Sequence, residues 1–503
     1  MDNYVSKLVK GAGIIFFISI FNSALGYFIR LLLAKKMSIE EFGLFFAVYG
    51  IVLTIGSMKG LGTTPALRKF IPEYVARDEY DKIKSLLVFV FVFSILSSVF
   101  LLLVFYLLPE RILINYFQSG LAQSLLLLLF TFVAIDSLSK LISSYFLSRH
   151  LSLFYSLREL IVKISILLLL LFFSDINVIQ ASLFYITATI VGLVFNFIFF
   201  FKHFPFFHYK AIITKRLIRN IFKFSTPLLF RDLFGVLMGR VDSIVLVYFR
   251  PLIEAGIYNA INPTADLLLL FSRPFGKIMF PMSSELWALN NKEKIIFLSR
   301  KIHKYLFLLM VPAVVGIYLF SEFLLGLLFG QEYAVGAFGL KILITGFIFS
   351  GFNLVNTSIL MGIGRPKEVA KTVIFANVLN LFLNLLLIPF FGKFGFGYLG
   401  AIISTIFCQF LMFFLFLKDL KILLGYKFPL KDCFFAFLVG VLLFLAGLII
   451  VNRLSNPYFQ LITYSLMIFS LYPLVLIYFN VISTKDIKSL INLFLKEKSN
   501  QSS

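Results

Sequence analysis

The sequence predicts an all-α polytopic membrane protein: about 14 transmembrane helices, arranged as two six-helix lobes around a central cavity plus two C-terminal helices. Three observations predict the helical membrane class, and an internal repeat, given below, predicts the two lobes. Hydrophobic residues make up 60% of the chain and charged residues only 14%, so too little polar surface exists to cover a soluble globule. Apolar runs of about 17–28 residues, the length that crosses a ~30 Å hydrocarbon core, recur from end to end. Lys and Arg collect in alternate connections, about 31 on one side against about 6 on the other, which by the positive-inside rule places both termini in the cytoplasm.

In order, the first span (11–34) follows Lys7 and Lys10 but is too long for a signal-peptide core. It runs into Lys35-Lys36 without a small-residue cleavage site, so a retained helix is expected. Ser19, Asn22, Ser23, Gly26 and Arg30 share one face of it. The second span (42–64) carries Lys59 toward its inner end, and Pro65–Lys84 reads as an amphipathic cytoplasmic connector. After the third span (85–108), the fourth (121–143) holds Asp136 and Lys140 at i, i+4, spaced to neutralise each other. The fifth and sixth spans are 158–174 and 178–201.

The seventh span (224–249) is apolar, yet it contains Arg231, Asp232, Arg240 and Asp242. Each such charge costs ~2.5–3.5 kcal/mol at mid-membrane, so the four cost roughly 10–14 kcal/mol against perhaps 4–8 regained from apolar residues. The segment must face a wet or protein-lined interior. Pro227, Gly235 and Gly239 allow it to bend or unwind. In the eighth span (256–283), Asn259, Asn262, Asp266, Arg273 and Lys277 fall on one face of a regular helix, giving a lumen-facing stripe. The ninth span is 304–329. Ser350, Asn353 and Thr357 in the tenth (339–361), and Asn377, Asn380 and Asn384 in the eleventh (371–391), form polar stripes expected to join helices. The remaining spans are 397–417, 432–452 and 459–481, followed by a polar tail from Thr484.

A weak internal repeat divides the chain. Glu41-Phe-Gly43 follows the first span as Glu254-Ala-Gly256 follows the seventh, 213 residues later, and at the same offset Arg158 opens the fifth span as Lys371 opens the eleventh. Such a repeat implies an N-lobe over 1–210, a C-lobe over 211–431, and an appendix of two helices with the cytoplasmic tail over 432–503.

The net charge of +22 sits in short loops between spans, as topology determinants do, and not in a nucleic-acid patch. No G-x-x-x-x-G-K-[ST] loop, H-E-x-x-H motif or Cys/His cluster occurs. Cys408 and Cys433 lie in or beside apolar segments and read as packing residues. The external loops are too short for a catalytic domain, so no enzyme, metal or cofactor is expected. The intramembrane ionisable set leans basic, and guanidinium groups match phosphate oxygens bidentately, so an anionic substrate is expected.

The run RLLLAKKMSIEEFGLFF from Arg30 to Phe46, with Gly60–Gly62 and Ala66–Phe70, resembles the first-loop signature of the polysaccharide biosynthesis (O-antigen-type) flippases. Ala255–Tyr258, Phe329–Tyr333, Gly362–Arg365 and Gly397–Ala401 extend the resemblance over most of the chain. The family shares a superfamily with multidrug and toxin extruders and the lipid II flippase. The resemblance implies two six-helix lobes, alternating access, and a polyprenyl-phosphate-linked oligosaccharide moved from the cytoplasmic to the outer leaflet of the cell membrane. The lipid II branch uses arginines on its first, second and eighth helices; Arg30, Lys59 and Arg273 stand on those helices here, matched by helix and not by motif, with Lys59 departing from arginine.

The expected cavity set is therefore Arg30, Lys59, Arg231, Arg240, Asp242, Asn259, Asn262, Asp266 and Arg273. Asp242 or Asp266 would couple transport to an ion gradient (Na+ or H+) or to the membrane potential. The expected partners are the lipid-linked oligosaccharide, the lipid bilayer and glycan-assembly enzymes. The rival readings are a cation-coupled multidrug exporter, which predicts an acidic or apolar pocket, and a non-transporting membrane scaffold for glycan assembly.

Overall fold

The computed structural model describes residue 18 and residues 21–59, 63–149 and 151–478, with the side chains of 227–238 and of Met58, Phe469, Val475, Ile477 and Tyr478 also outside the description. Ser19, Gly60–Gly62 and the tail from Thr484 lie outside the described residues, and so does the Arg231 side chain. The described chain is almost wholly helical, with nine helices long and apolar enough to cross a membrane.

It forms two compact units, one of Met1–Ala260 with Asn384–Ala401, the other of Ile261–Leu383 with Ile402–Ser503. In the first unit the order is α1 (21–36), α2 (Ile39–Met58), α3 (Thr63–Val75), α4 (Tyr80–Leu107), α5 (Glu110–Phe117), α6 (Ala122–Ser148), α7 (Ser152–Phe172), α8 (Val178–His203), α9 (Lys215–Met238) and α10 (Val241–Phe249). Then comes α11 (Leu252–Asp266), whose last residues enter the second unit. α6 is the pillar, packed by α2, α3, α4 and α8. The connector expected over 65–84 is amphipathic: α3 buries Ala66, Leu67 and Ile71 against Tyr145 and Phe146 of α6.

The repeat has a physical counterpart in this unit. Gly43 and Gly256 lie at the crossing of α2 and α11. A Cβ on Gly43 would overlap the Leu252 carbonyl, and one on Gly256 would overlap the Ile39 carbonyl. Ile39 and Leu252 are themselves 213 residues apart, so the contact is reciprocal, of the close-backbone type that small residues permit in membranes. The two glutamates also match. Glu41 accepts from the Val178 N–H at the start of α8 (3.3 Å); Glu254 accepts from the Tyr398 N–H in the first turn of α17 (Gly397–Leu424) at 2.9 Å. Each carboxylate thereby satisfies an orphan donor of another helix. The second match fails: Arg158 is buried and bonded to Asp136, whereas Lys371 is exposed.

The second unit continues through α12 (Ser272–Ala288), α13 (Lys292–Leu319), α14 (Ser321–Leu328), α15 (Ala337–Gly362), α16 (Pro366–Gly392), α17, α18 (Leu430–Arg453) and α19 (Pro457–Tyr478), the ends of α16 and α17 at residues 384–401 belonging to the first unit. The span expected over 304–329 is two helices, α13 and α14. Proline explains how α19 is attached. Pro312 lacks an N–H, so the Leu308 carbonyl of α13 has no partner in its own helix. The Tyr472 hydroxyl of α19 donates to it at 2.7 Å, and the Tyr464 hydroxyl donates to the Pro312 carbonyl at 3.2 Å. Replacing Tyr472 by Phe strands that carbonyl and should destabilise the protein by ~1–3 kcal/mol, read as a lower thermal unfolding temperature in detergent.

Candidate functional site

The charged seventh span breaks at Gly239, one of the three residues expected to allow it, and runs on as helix through Pro227 and Gly235. α9 ends at Met238, Gly239 and Arg240 form a turn, and α10 starts at Val241. Arg240 is the N-cap of α10, and Asp242 lies in its first turn, where the helix dipole favours a carboxylate. Asp242 accepts from the Tyr258 hydroxyl at 2.7 Å and from the Asn384 carboxamide at 2.5 Å. The Asn377–Asn384 stripe therefore contributes a side chain to the site and not only helix contacts.

The eighth span is broken too, and the expected stripe is divided: Asn259, Asn262 and Asp266 share α11, while Arg273 and Lys277 fall on the next helix. α11 gives way to a 3-10 turn over Leu267–Leu270 before α12 begins. Pro263 and Pro274 lack the N–H groups that would bond the carbonyls of residues 259 and 270, so the helix cannot run through without loss. Three residues per turn then rotate Arg273 and Lys277 off the register of Asn259. The freed Asn259 carbonyl has a use. Arg30 donates to it from Nη1 at 3.2 Å, while the buried Asn259 side chain bonds back to the Ala255 carbonyl.

Arg30 also lies over the Phe46 ring, 3.9 Å from its centroid, and Arg240 lies 5.7 Å over Tyr49. Tyr49, Tyr185, Phe45 and Phe132 pack as one aromatic group, with centroid separations of 5.4–6.1 Å. Tyr49 is in electrostatic reach of both arginines, and the arginines repel each other. Among the described residues neither arginine has a carboxylate within ion-pair distance, although both are half-buried. Two like charges held together at membrane depth without a counter-ion are unfavourable unless an anion joins them.

The other expected residues divide. Lys59 is buried and donates to the Val133 and Ala134 carbonyls of α6 at 2.9 and 3.3 Å, so it pins α2 to α6. Asp266 and Arg273 belong to the second unit and pair at 2.7 Å with both side chains partly exposed; Asn262 of α11 is partly buried. Asp136 pairs with Lys140 at 2.6 Å as its spacing predicts, and also with Arg158, which in turn donates to Ser139 at 3.0 Å. No signal in the residues marks Tyr49, Tyr185 or Phe46, since in a chain that is 18% aromatic one more aromatic residue stands out nowhere.

The family model described as polysaccharide biosynthesis protein matches residues 8–287, and the model described as MatE matches residues 227–386. The chain is 28% identical to the uncharacterized membrane protein MJ1068 of Methanocaldococcus jannaschii, over 98% of this chain and 100% of that protein. It is 27% identical to the "Probable low-salt glycan biosynthesis flippase Agl15" of Haloferax volcanii over 189 residues, 37% of this chain and 39% of that one. Among solved structures, the lipid II flippase MurJ in an inward closed conformation shares the fold, with a TM-score of 0.69 at 18% identity over 93% of this chain and 98% of that chain.

Proposed function

The chain belongs to the polysaccharide biosynthesis protein family, and from that premise we propose that it moves a polyprenyl-(di)phosphate-linked oligosaccharide from the cytoplasmic to the outer leaflet by alternating access, for surface polysaccharide or glycan assembly. It is a multi-pass membrane transporter and not an enzyme. The observation that carries the substrate reading is the pair Arg30 and Arg240, two guanidinium groups within reach of one aromatic group and without carboxylate partners among the described residues. A phosphate or diphosphate bridging them supplies the missing anion through bidentate, charge-assisted hydrogen bonds. Tyr49 and Tyr185 offer flat apolar faces and hydroxyls to the first sugars, while the lipid tail stays in the bilayer. Lys59 acts by positioning α2 on α6. The α2–α11 glycine crossing, on the side of the short external loops, is the contact that opens to release the head group outward.

Energy coupling falls to Asp242, whose carboxylate accepts from the Tyr258 hydroxyl and the Asn384 amide NH2, bonds that uptake of Na+ or a proton would exchange. Asp266 follows as a salt-bridge partner that Arg273 exchanges when substrate enters. The experiment uses membrane vesicles from cells with and without the protein, and measures how much lipid-linked oligosaccharide an added glycosidase reaches in each leaflet. Loss of the protein should strand the oligosaccharide in the cytoplasmic leaflet; an unchanged distribution would remove the flippase reading. Collapsing the Na+, H+ and voltage gradients in turn should slow translocation in one case at least. Full indifference to all three would remove the coupling role of Asp242.

A further inference from the structure

The second unit contains a recess unlike the lipid-facing surface around it. α13, α15 and α18 enclose a groove of about 300 Å³ lined by Phe307, Val311, Tyr318, Ile348, Phe437 and Phe444 among others, and its walls expose no polar surface. Its floor depends on Gly440: a Cβ there would stand 2.6 Å from Val311 Cγ1, so the glycine lets α18 close on α13. From Phe307 to Tyr318 the groove follows eleven residues of helix, about 16 Å, or roughly half of a ~30 Å hydrocarbon core. That is the depth of a single leaflet.

One end of the groove is charged. Lys341 stands one helical turn before Thr345, which lines the recess, and its Nζ lies 5.6 Å over the ring of Tyr318 at the groove's end. Lys341 is half-buried, and among the described residues no carboxylate lies within ion-pair distance of it. An unneutralised ammonium at the membrane boundary, above an apolar slot one leaflet deep, is complementary to a molecule with an anionic head and a single long apolar chain beneath it. A neutral lipid would fill the slot but leave the cation alone.

We propose that this groove is a resident binding site for an anionic membrane phospholipid, with one chain along α13 and α18 and the phosphate on Lys341. The occupant is a lipid of the bilayer itself and not the transported molecule. Bound there, it fills the space between α13 and α18 and reinforces the attachment of the last two helices.

Native mass spectrometry of the detergent-purified full chain, mixed with equal amounts of phosphatidylglycerol and phosphatidylcholine, tests this. One phosphatidylglycerol should stay bound in at least tenfold preference to phosphatidylcholine. Lys341→Gln should abolish the preference, Lys341→Arg should keep it, and Ile348→Trp, which fills the slot, should remove both lipids. Unchanged thermal unfolding in Lys341→Gln guards against misfolding in the key variant. No retained lipid in the wild type, or a preference untouched by Lys341→Gln, would overturn the proposal. So would finding that the molecule held there is the lipid-linked oligosaccharide, since the groove would then belong to the transport path.

Discussion

Replacing Arg30 and Arg240 together by Gln should lower oligosaccharide translocation by roughly 100- to 10,000-fold at unchanged protein level. A hydrogen bond to a charged group is worth ~1.5–3 kcal/mol, so two lost phosphate contacts amount to roughly 3–6 kcal/mol, at about 1.4 kcal/mol per tenfold. The single variants differ in an informative way. Among the described residues Arg240 has no carboxylate to release, so Arg240→Gln should leave thermal stability equal or raise it while transport falls, as expected for a charge kept for function. Arg30 also serves the carbonyl that Pro263 frees, so Arg30→Gln should lose transport and destabilise the fold by ~1–3 kcal/mol. Arg240→Lys keeps the charge but not the fork, and should fall between Gln and wild type. The glycosidase-accessibility assay in vesicles reads all four variants. Undiminished translocation in the double variant would rule out the arginine pair as the phosphate site.

The second large effect is expected at the helix crossing. Gly43→Ala adds one methyl group, yet that carbon overlaps the Leu252 carbonyl oxygen, and a main-chain oxygen cannot rotate aside as a side chain does. α2 and α11 must therefore separate, at a cost of ~1–3 kcal/mol for overpacking. Because the contact is reciprocal, Gly256→Ala should act alike, and the double variant should be little worse than either. Transport should drop at least about tenfold. A reporter separates a gate from a merely damaged fold: Cys introduced at Tyr49, beside the arginines, should be labelled from outside by an impermeant maleimide in Gly43→Ala but be protected otherwise. Both native cysteines are buried and should stay silent. Wild-type labelling together with wild-type transport would remove the gate from the mechanism.

Much of this was legible in the residues. Gly239 marks the break in the seventh span, because glycine is the residue at which a helix most readily unwinds. Asp136 and Lys140 pair because i, i+4 neighbours on a helix must meet. The 213-residue repeat at Glu41 and Glu254 corresponds to two carboxylates doing the same work. Other readings failed for one common reason. The stripe on the eighth span needs one continuous helix, but a 3-10 turn over Leu267–Leu270 separates α11 from α12, and Lys59 is held by the carbonyls of α6. Arg158 and Lys371 look equivalent in sequence, but Arg158 is buried against Asp136 whereas Lys371 is exposed.

By itself the sequence determined the membrane environment, the helical class and the surplus of intramembrane cations. These are sums over composition and short-range periodicity, and they need no knowledge of neighbours. Tertiary structure alone decided which cations are spent on protein and which are left over. Arg158 goes to Asp136, Arg273 to Asp266 and Lys59 to a helix backbone, whereas Arg30 and Arg240 reach aromatic faces and no carboxylate among the described residues. The physical reason is range: a charge's partner must lie within about 4 Å, and such a partner can be far away in the chain, as the Asn259 carbonyl is from Arg30.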